Sequence, residues 1–284
     1  MLMAGMIVTL KVLRETDISY LLTNGIEEIF LHKKEALHAY QPSDEVQVFL
    51  YVDHQGRLAA TPTLPLVDLE KGAFLEVVGV NPSLGVFLHN GIVKDLLLSK
   101  DDLPFSYEDW PQKGDRLFVT MKLKKDKLFA RQPGRKQIID YYHEEPPLLK
   151  EGAEVDAFVQ YLVEEGIVAF TDSGIELFIH RNNMRSKVRL GEKIHPRILK
   201  QQEPHTYGAT LIERKESMMD QDASILLRYM ELRGGVMRFT DKSDPEDIQA
   251  AFHMSKSAFK RALGNLYKQG LVELLSDRTQ RKSK

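Results

Sequence analysis

One strand-like segment occurs three times in this chain of 284 residues. The copies read GIEEIFLHKK from Gly25, GIVKDLLLSK from Gly91 and GIELFIHRNN from Gly174. Aligned on the strand end, the first and third copies place His32 and His180 at the same position, where the middle copy has a serine. The repetition indicates that the chain contains several copies of one small β domain.

Alternation within the third copy separates the two faces of a strand. Successive side chains of a strand point to opposite faces, so Ile175, Leu177 and Ile179 share one face. Phe178 and His180 share the other face. The pattern therefore predicts an apolar core face and a polar face that carries an aromatic ring beside a histidine.

Each repeated unit also contains further strand-like segments on both sides of the shared one. Glycine, proline, aspartate and asparagine turns separate about five short strands in roughly 60–70 residues. This size and turn spacing favour a small closed barrel, and a five-stranded OB-fold is the natural candidate. We place the three barrels at residues 1–65, 66–145 and 146–215. Proline-containing connections join them, which predicts a semi-rigid array and a mainly β fold.

The pattern becomes helical in the remaining segment, residues 216–284. Asp244 followed by Pro245 is typical of a helix start, and the order helix, short strand, helix, helix, hairpin predicts a winged helix-turn-helix. Phe259, Leu263, Leu266 and Tyr267 are expected to form the apolar stripe of the third helix. Its polar residues are candidates for nucleic-acid contact: Lys256, Lys260, Arg261, Asn265 and Lys268.

Composition excludes several classes of chemistry. The chain has no cysteine, which excludes disulfides, iron–sulfur clusters and thiolate zinc sites. Its formal net charge of −2 gives no global attraction to polyanions, so any such site must be local. We find no membrane-length apolar run, signal peptide, phosphate-binding loop, nucleophile elbow or metal-binding spacing. We therefore expect a cytoplasmic protein, not an enzyme, with no cofactor, no metal and no small-molecule substrate.

The repeated unit resembles a known domain. Its opening glycine and strand, the G-I-E-x-F-I-H segment and a terminal R/K-L-x-A segment resemble the RNA-binding domain of ribosomal protein S1. Three such units followed by a winged helix resemble the conserved virulence factor B family of bacterial S1-domain proteins, from about Met6 to Asp277. The middle copy departs from the motif at Leu97 and Ser99. The resemblance implies single-stranded RNA binding and post-transcriptional regulation.

Side chains on the predicted polar faces supply candidates for RNA contact. OB-folds bind single strands by stacking bases on exposed aromatic rings while cations follow the phosphates. We interpret Val168, which stands where the other barrels have Tyr20 and Phe87, as structural. The candidate residues are Tyr20, Phe30, His32, Lys33, Arg57, Phe87, Lys122, Lys124, Lys127, Arg131, Phe178, His180, Arg181 and Arg185.

Alternatives remain open for individual residues and for the whole chain. The aromatic rings could be buried by a loop or a neighbouring barrel. The two histidines could have a purely structural role as caps of the strand ends. The whole chain could instead be a DNA-binding transcription regulator that uses the winged helix, a ribonuclease or a protein-interaction adaptor. The winged helix could contact DNA or protein even if the barrels bind RNA.

Overall fold

The computed structural model describes residues 1–142, 145–212 and 215–282. The first barrel has the strand order β1-β2-β3-β5-β4 and is closed, with β3 and β5 parallel. Its strands are β1 (Ile7–Glu15), β2 (Ser19–Thr23), β3 (Glu28–His32), β4 (Glu45–Val52) and β5 (Leu58–Thr61). This order is that of the predicted OB-fold.

The second barrel is closed in the same order. Its strands are β6 (Ala73–Asn81), β7 (Gly85–Leu88), β8 (Leu96–Ser99), β9 (Arg116–Lys124) and β10 (Lys127–Arg131). Leu98 and Val86 point into its core and are fully buried. The apolar alternation of the sequence is therefore realised as a core face in this copy too.

A six-residue helix, α1 (Arg135–Asp140), precedes the third barrel. The barrel's sheet has the order β14-β11-β12-β13-β16-β15. Its strands are β11 (Ala157–Val163), β12 (Gly166–Phe170), β13 (Glu176–His180), β14 (Lys193–Ile194), β15 (Arg197–Glu203) and β16 (Thr206–Thr210). β14 and β15 are halves of one fourth strand, interrupted at Pro196, which lacks the N–H that a sheet requires.

The three barrels form one compact unit, residues 1–211. Phe49 and Tyr51 point out of the first barrel and lie in the same buried cluster as Leu75 and Val119 of the second barrel. This shared apolar cluster joins the two barrels and explains why the short connections between them are sufficient.

Polar contacts join the second barrel to the third. The Phe118 N–H donates to Gln160 Oε1 at 2.9 Å, and the Gln160 side chain is fully buried. The Arg189 guanidinium donates to both oxygens of Asp115 at 2.7 and 2.8 Å. These contacts fix the third barrel against the second.

The remaining residues, 212–284, form a separate unit with the predicted winged-helix order. Its elements are α2 (Lys215–Glu231), β17 (Val236–Met237), α3 (Pro245–Phe252), α4 (Lys256–Lys268), β18 (Val272–Leu274) and β19 (Thr279–Arg281). Asp244 caps α3 by accepting the Glu246 N–H at 2.9 Å. His253 ends α3 in the left-handed conformation, with φ of 54°, which makes the tight turn into α4.

One prediction about α4 is wrong. Phe259, Leu263 and Leu266 are buried as expected, but Tyr267 is 55% exposed. Ala262 belongs to the stripe instead, because an apolar face of a helix repeats at three or four residues and Ala262 lies three residues after Phe259 and four before Leu266. Among the described helices, none is long and apolar enough to cross a membrane.

Candidate nucleic-acid interface

Three strands of each barrel carry one outward-facing row of side chains across the sheet, which we call the outward row. Strand pairing aligns its members from the second, third and fifth strands. They are Leu21, Phe30 and Ala59 in the first barrel, Phe87, Leu97 and Phe129 in the second, and Val168, Phe178 and Gly208 in the third. Phe129 was not among the sequence-predicted residues, although its place in the alternating segment KLFAR could have indicated it.

Tyr20 does not belong to the outward row. It pairs with Leu31 and is 5% exposed, and its ring meets that of Tyr40 edge to face at 5.4 Å between centroids. The expectation that Tyr20 and Phe87 are equivalent is wrong, because Phe87 corresponds to Leu21. A slip of one residue transfers a side chain to the opposite face of the sheet. Tyr20 is therefore a core residue without a free face for a base.

Phe30 is the exposed member of the first barrel's outward row, with 44% of its surface accessible. The Arg57 guanidinium lies 5.7 Å from the centre of its ring. Arg57 is held in place by Asp53, whose Oδ2 accepts from Nε at 2.9 Å and from Nη2 at 2.7 Å. Burial acts to raise the pKa of Asp53, but hydrogen bonds from Arg57 and from backbone N–H groups outweigh it and lower that pKa. An ionised Asp53 thus anchors a cation beside an open ring.

The histidines at the strand ends are caps. His32 Nδ1 accepts the Lys34 N–H at 3.0 Å, and His180 Nδ1 accepts the Asn182 N–H at 3.1 Å. Ser99 performs the same role through its hydroxyl. Both histidines therefore cap their strand ends, and their contact with RNA stays a prediction. In a neutral imidazole whose Nδ1 accepts, the proton lies on Nε2, so each ring keeps one N–H to donate elsewhere.

A cleft of about 460 Å³ lies over this face of the first barrel. Besides Phe30, His32 and Arg57, it is lined by Tyr51 and by Lys94 from the segment between β7 and β8. We call it the first cleft. Its lining combines an exposed aromatic ring, a histidine and two cations with the carboxylates of Glu35 and Asp53.

Glu35 contributes a carboxylate to the wall of the first cleft. The Tyr51 hydroxyl donates to Glu35 Oε1 at 2.7 Å, and burial together with this contact raises the Tyr51 pKa. Glu35 Oε2 is buried and accepts no hydrogen bond from any described residue. This orphaned acceptor makes the first cleft capable of receiving a further N–H or O–H donor.

Lys33 does not face the first cleft. Its Nζ lies 2.5 Å from Glu15 Oε1 and 5.8 Å from the centre of the Tyr20 ring. The lysine is turned towards β1 and is paired there, so its contact with RNA stays a prediction that the first cleft does not support.

The second barrel carries three half-buried apolar side chains in its outward row, and Phe87 and Phe129 flank Leu97. They line a cleft of about 260 Å³ together with Lys94 and Lys127. We call it the second cleft. Phe87 thus forms part of a three-strand apolar floor of the second cleft, and its stacking with a base stays a prediction.

The predicted cations of the second barrel differ in their availability. Lys122 is paired with Asp102 at 2.7 Å, and Arg131 Nη2 donates to Gln137 Oε1 at 3.5 Å. Lys124 and Lys127 are exposed on either side of the β9–β10 turn and form no ion pair with any described residue. Only part of the predicted phosphate track is therefore free of competing carboxylates.

The third barrel has half of its outward face covered. Val168 and Glu176 are buried beneath α1 and the residues that follow it, and Arg135 of α1 forms an ion pair with Glu176, with Nε and Oε2 3.3 Å apart. The structural interpretation of Val168 is confirmed. Glu176 does point away from the barrel core, yet it contacts α1 instead of solvent. We call α1 and the residues that follow it, up to Tyr142, the linker.

Phe178 lies at the border of this covered area. One side of its ring packs in the cluster formed with the linker. The other side, with His180 and Lys200, lines a cleft of about 430 Å³. Arg181 and Arg185 are exposed but do not line that cleft, and Arg181 donates to the Glu164 carbonyl.

In the winged-helix unit, the candidate residues lie on α4. Lys260, Arg261 and Lys268 are exposed, whereas Lys256 and Asn265 are partly buried. Asn265 accepts from the Gln269 side chain. Burial raises the pKa of Asp222 in α2, and the nearby charge of Arg261 acts against this. The exposed Tyr267 adds an aromatic ring to the surface that these cations share.

Comparisons with known proteins agree with this architecture. The model of the CvfB-like winged helix domain matches residues 224–280, that of the S1 domain matches 4–63, and that of the CvfB first S1-like domain matches 73–131. These families are nucleic-acid-binding modules, not enzyme families.

Two relatives and one solved structure extend over nearly the whole chain. The uncharacterized protein YitL of Bacillus subtilis is 39% identical over 94% of this chain and 90% of its own length. Conserved virulence factor B of Staphylococcus epidermidis is 27% identical over 95% and 92%. A crystal structure of a multidomain protein with nucleic acid binding domains from Streptococcus pneumoniae has a TM-score of 0.67 and 28% identity, and covers 98% of both chains.

Proposed function

Because the chain belongs to the conserved virulence factor B family, we propose that it binds single-stranded RNA in the cytoplasm and acts in post-transcriptional gene regulation. Three S1-type barrels in one compact unit are suited to a single strand, which can bend from one surface to the next. The solved relative described as having nucleic acid binding domains supports the same class of partner. No catalytic step is part of this proposal.

The observation that carries the proposal is the open Phe30 ring with Arg57 beside it and His32 at its edge. A base can stack on the ring, because every base has a π face, and the contact is worth about 1–3 kcal/mol. The guanidinium lies close enough to reach the phosphate of a stacked nucleotide. A duplex keeps its bases stacked on each other, so it cannot use this surface.

Equilibrium titrations followed by fluorescence anisotropy test the proposal. Labelled single-stranded RNA of about ten or more nucleotides should bind with micromolar or better affinity and lose affinity steeply between about 50 and 200 mM salt. Duplex RNA and duplex DNA of equal length should bind at least about tenfold more weakly. Equal or tighter binding of duplex DNA would contradict the proposal, and binding of none of the three would leave the adaptor hypothesis.

A second candidate function rests on the winged-helix unit. Lys260, Lys268 and Tyr267 share the exposed surface of α4, the helix that enters a groove in helix-turn-helix proteins. If this surface binds duplex DNA, Lys260→Glu should abolish duplex binding and leave single-stranded RNA binding unchanged. If it contacts the same RNA as the barrels, Lys260→Glu should weaken RNA binding and reduce its salt dependence.

A further inference from the structure

The first and second clefts meet at one lysine. Lys94 lines both of them, and so does Tyr51. We propose that the two clefts form one continuous track, and that a single RNA strand crosses the junction of the first two barrels with Lys94 holding a phosphate between its stacked bases. This inference rests on the proposed function and specifies the path of the strand.

Lys94 is fixed across the junction. It belongs to the second barrel, but its Nζ donates to the carbonyl oxygens of Val52 and Asp53 in the first, the latter at 3.4 Å. Burial lowers its pKa, and the charge of nearby Asp53, which is already paired with Arg57, acts against this. An ammonium has three N–H donors, so one remains for a ligand after two carbonyl contacts. An anion is the partner that its charge requires.

Aromatic and cationic groups alternate along the proposed track. Phe30 lies with Arg57 in the first cleft, Lys94 follows at the junction, and Phe129 lies with Lys127 in the second cleft. A single strand alternates bases and phosphates in the same way, and stacking combined with phosphate contacts is how such strands are bound without base reading. The match in chemistry favours one RNA strand over a peptide or a duplex.

The spacing of the two clefts is fixed by the shared core. Phe49 and Tyr51 of the first barrel are buried in a common cluster with Leu75 and Val119 of the second. Rigid linkage of two binding surfaces converts the second binding event into an intramolecular one, which raises the affinity for any ligand that spans both. In the third barrel, α1 covers Val168 at the corresponding place, so the track belongs to the first two barrels.

The test compares two lengths of oligouridine by calorimetry and native mass spectrometry of the full chain. An RNA of about 4 nucleotides should fill one cleft, and one of about 12 should span both. We expect one fewer long RNA than short RNAs per protein, because one long RNA occupies both clefts, and the long RNA should bind at least about 100-fold more tightly. Equal numbers of long and short RNAs per protein would overturn the track and leave the proposed function intact. No binding of either RNA would overturn the proposed function itself.

Variants separate the junction from general charge. Lys94→Met should reduce the ratio of long-RNA to short-RNA affinity at least about fivefold. Lys113→Met, which removes an exposed lysine that lines neither cleft, should leave this ratio unchanged. Phe129→Ala provides a second test that does not touch the junction: long-RNA affinity should fall, and one fewer short RNA should bind than to the unchanged protein. An unchanged ratio for Lys94→Met, together with an unchanged number of short RNAs bound to Phe129→Ala, would overturn the inference.

Discussion

The Arg57 guanidinium lies 5.7 Å from the centre of the Phe30 ring and is bound there by Asp53. Cation–π contacts of this kind orient both partners. The arginine is therefore already placed beside the ring before any ligand arrives, and little side-chain entropy is lost when a nucleotide binds. This pair is the best-defined element of the candidate interface.

Replacing Phe30 should weaken RNA binding without unfolding the protein. Phe30→Ala removes a stacking surface worth about 1–3 kcal/mol, so the dissociation constant for single-stranded RNA should rise about tenfold or more. Because nearly half of the ring is already exposed, the melting temperature should change by less than about 4 °C. Anisotropy titration and thermal unfolding measure the two effects.

The matched control is Phe105→Ala. Phe105 is a fully exposed phenylalanine of the second barrel that lines neither the first nor the second cleft. Its replacement should leave both RNA affinity and melting temperature unchanged. Equal losses of affinity in the two variants would mean that exposed aromatic rings bind RNA without regard to their place.

Two lysines of the second barrel should differ in their contribution to salt dependence. Lys127 has no ion-pair partner among the described residues, whereas Lys122 is paired with Asp102. Lys127→Gln should reduce the slope of log affinity against log salt by about 0.7, the value for one phosphate contact with a single strand. Lys122→Gln should change it less. Titrations at several salt concentrations would contradict this if the two slopes fell equally.

Tyr20 should behave as a core residue. Tyr20→Ala should lower the free energy of unfolding by about 3–5 kcal/mol, as loss of a large buried aromatic side chain does. Tyr20→Phe keeps the ring and should leave RNA affinity within about twofold of the original. Urea unfolding and anisotropy measure these effects. If Tyr20→Phe bound RNA tenfold more weakly and kept its free energy of unfolding, the result would show that the hydroxyl contacts RNA.

High pH should loosen the contact between the linker and the third barrel. Burial raises the pKa of Tyr142 to about 12 and that of Tyr161 to about 12. A tyrosine in the unfolded chain has a pKa of about 10, so the folded state favours the neutral ring. The resulting stability is fully present below about pH 10 and is lost as the pH rises towards 12.

Urea unfolding at a series of alkaline pH values tests this. The free energy of unfolding should decrease between about pH 10 and 12. The decrease should be smaller in a Tyr142→Phe, Tyr161→Phe double variant, whose rings cannot ionise. An equally steep decrease in that variant would assign the effect to other groups.

The sequence was sufficient for the parts of the fold that follow from alternation. Ile175, Leu177 and Ile179 are fully or almost fully buried, because a strand with one apolar face has one stable orientation. The same rule explains the error at Tyr20. Ser19 pairs with His32, whereas Gly85 pairs with Ser99 and Gly166 with His180, so the connection in the first barrel is one residue shorter than in the other two. A constant offset from the strand end therefore selects the opposite face in the first barrel.

Contacts between segments that are distant in the chain could not be predicted from the sequence. Glu176 is covered because Arg135, which lies 41 residues before it, packs across the barrel surface. Lys94 reaches the first cleft because the segment between β7 and β8 of the second barrel docks against the carbonyls of Val52 and Asp53. Neither pairing leaves a mark in local periodicity, since each depends on how complete barrels pack.

The most direct test of the central claim is ultraviolet cross-linking of single-stranded RNA to the full chain, followed by mass-spectrometric mapping of the attached peptides. We predict cross-links at Phe30 in the first cleft and at Phe87 or Phe129 in the second, all removed by excess unlabelled single strand. Cross-links confined to α4 of the winged-helix unit, with neither cleft labelled, would contradict the account.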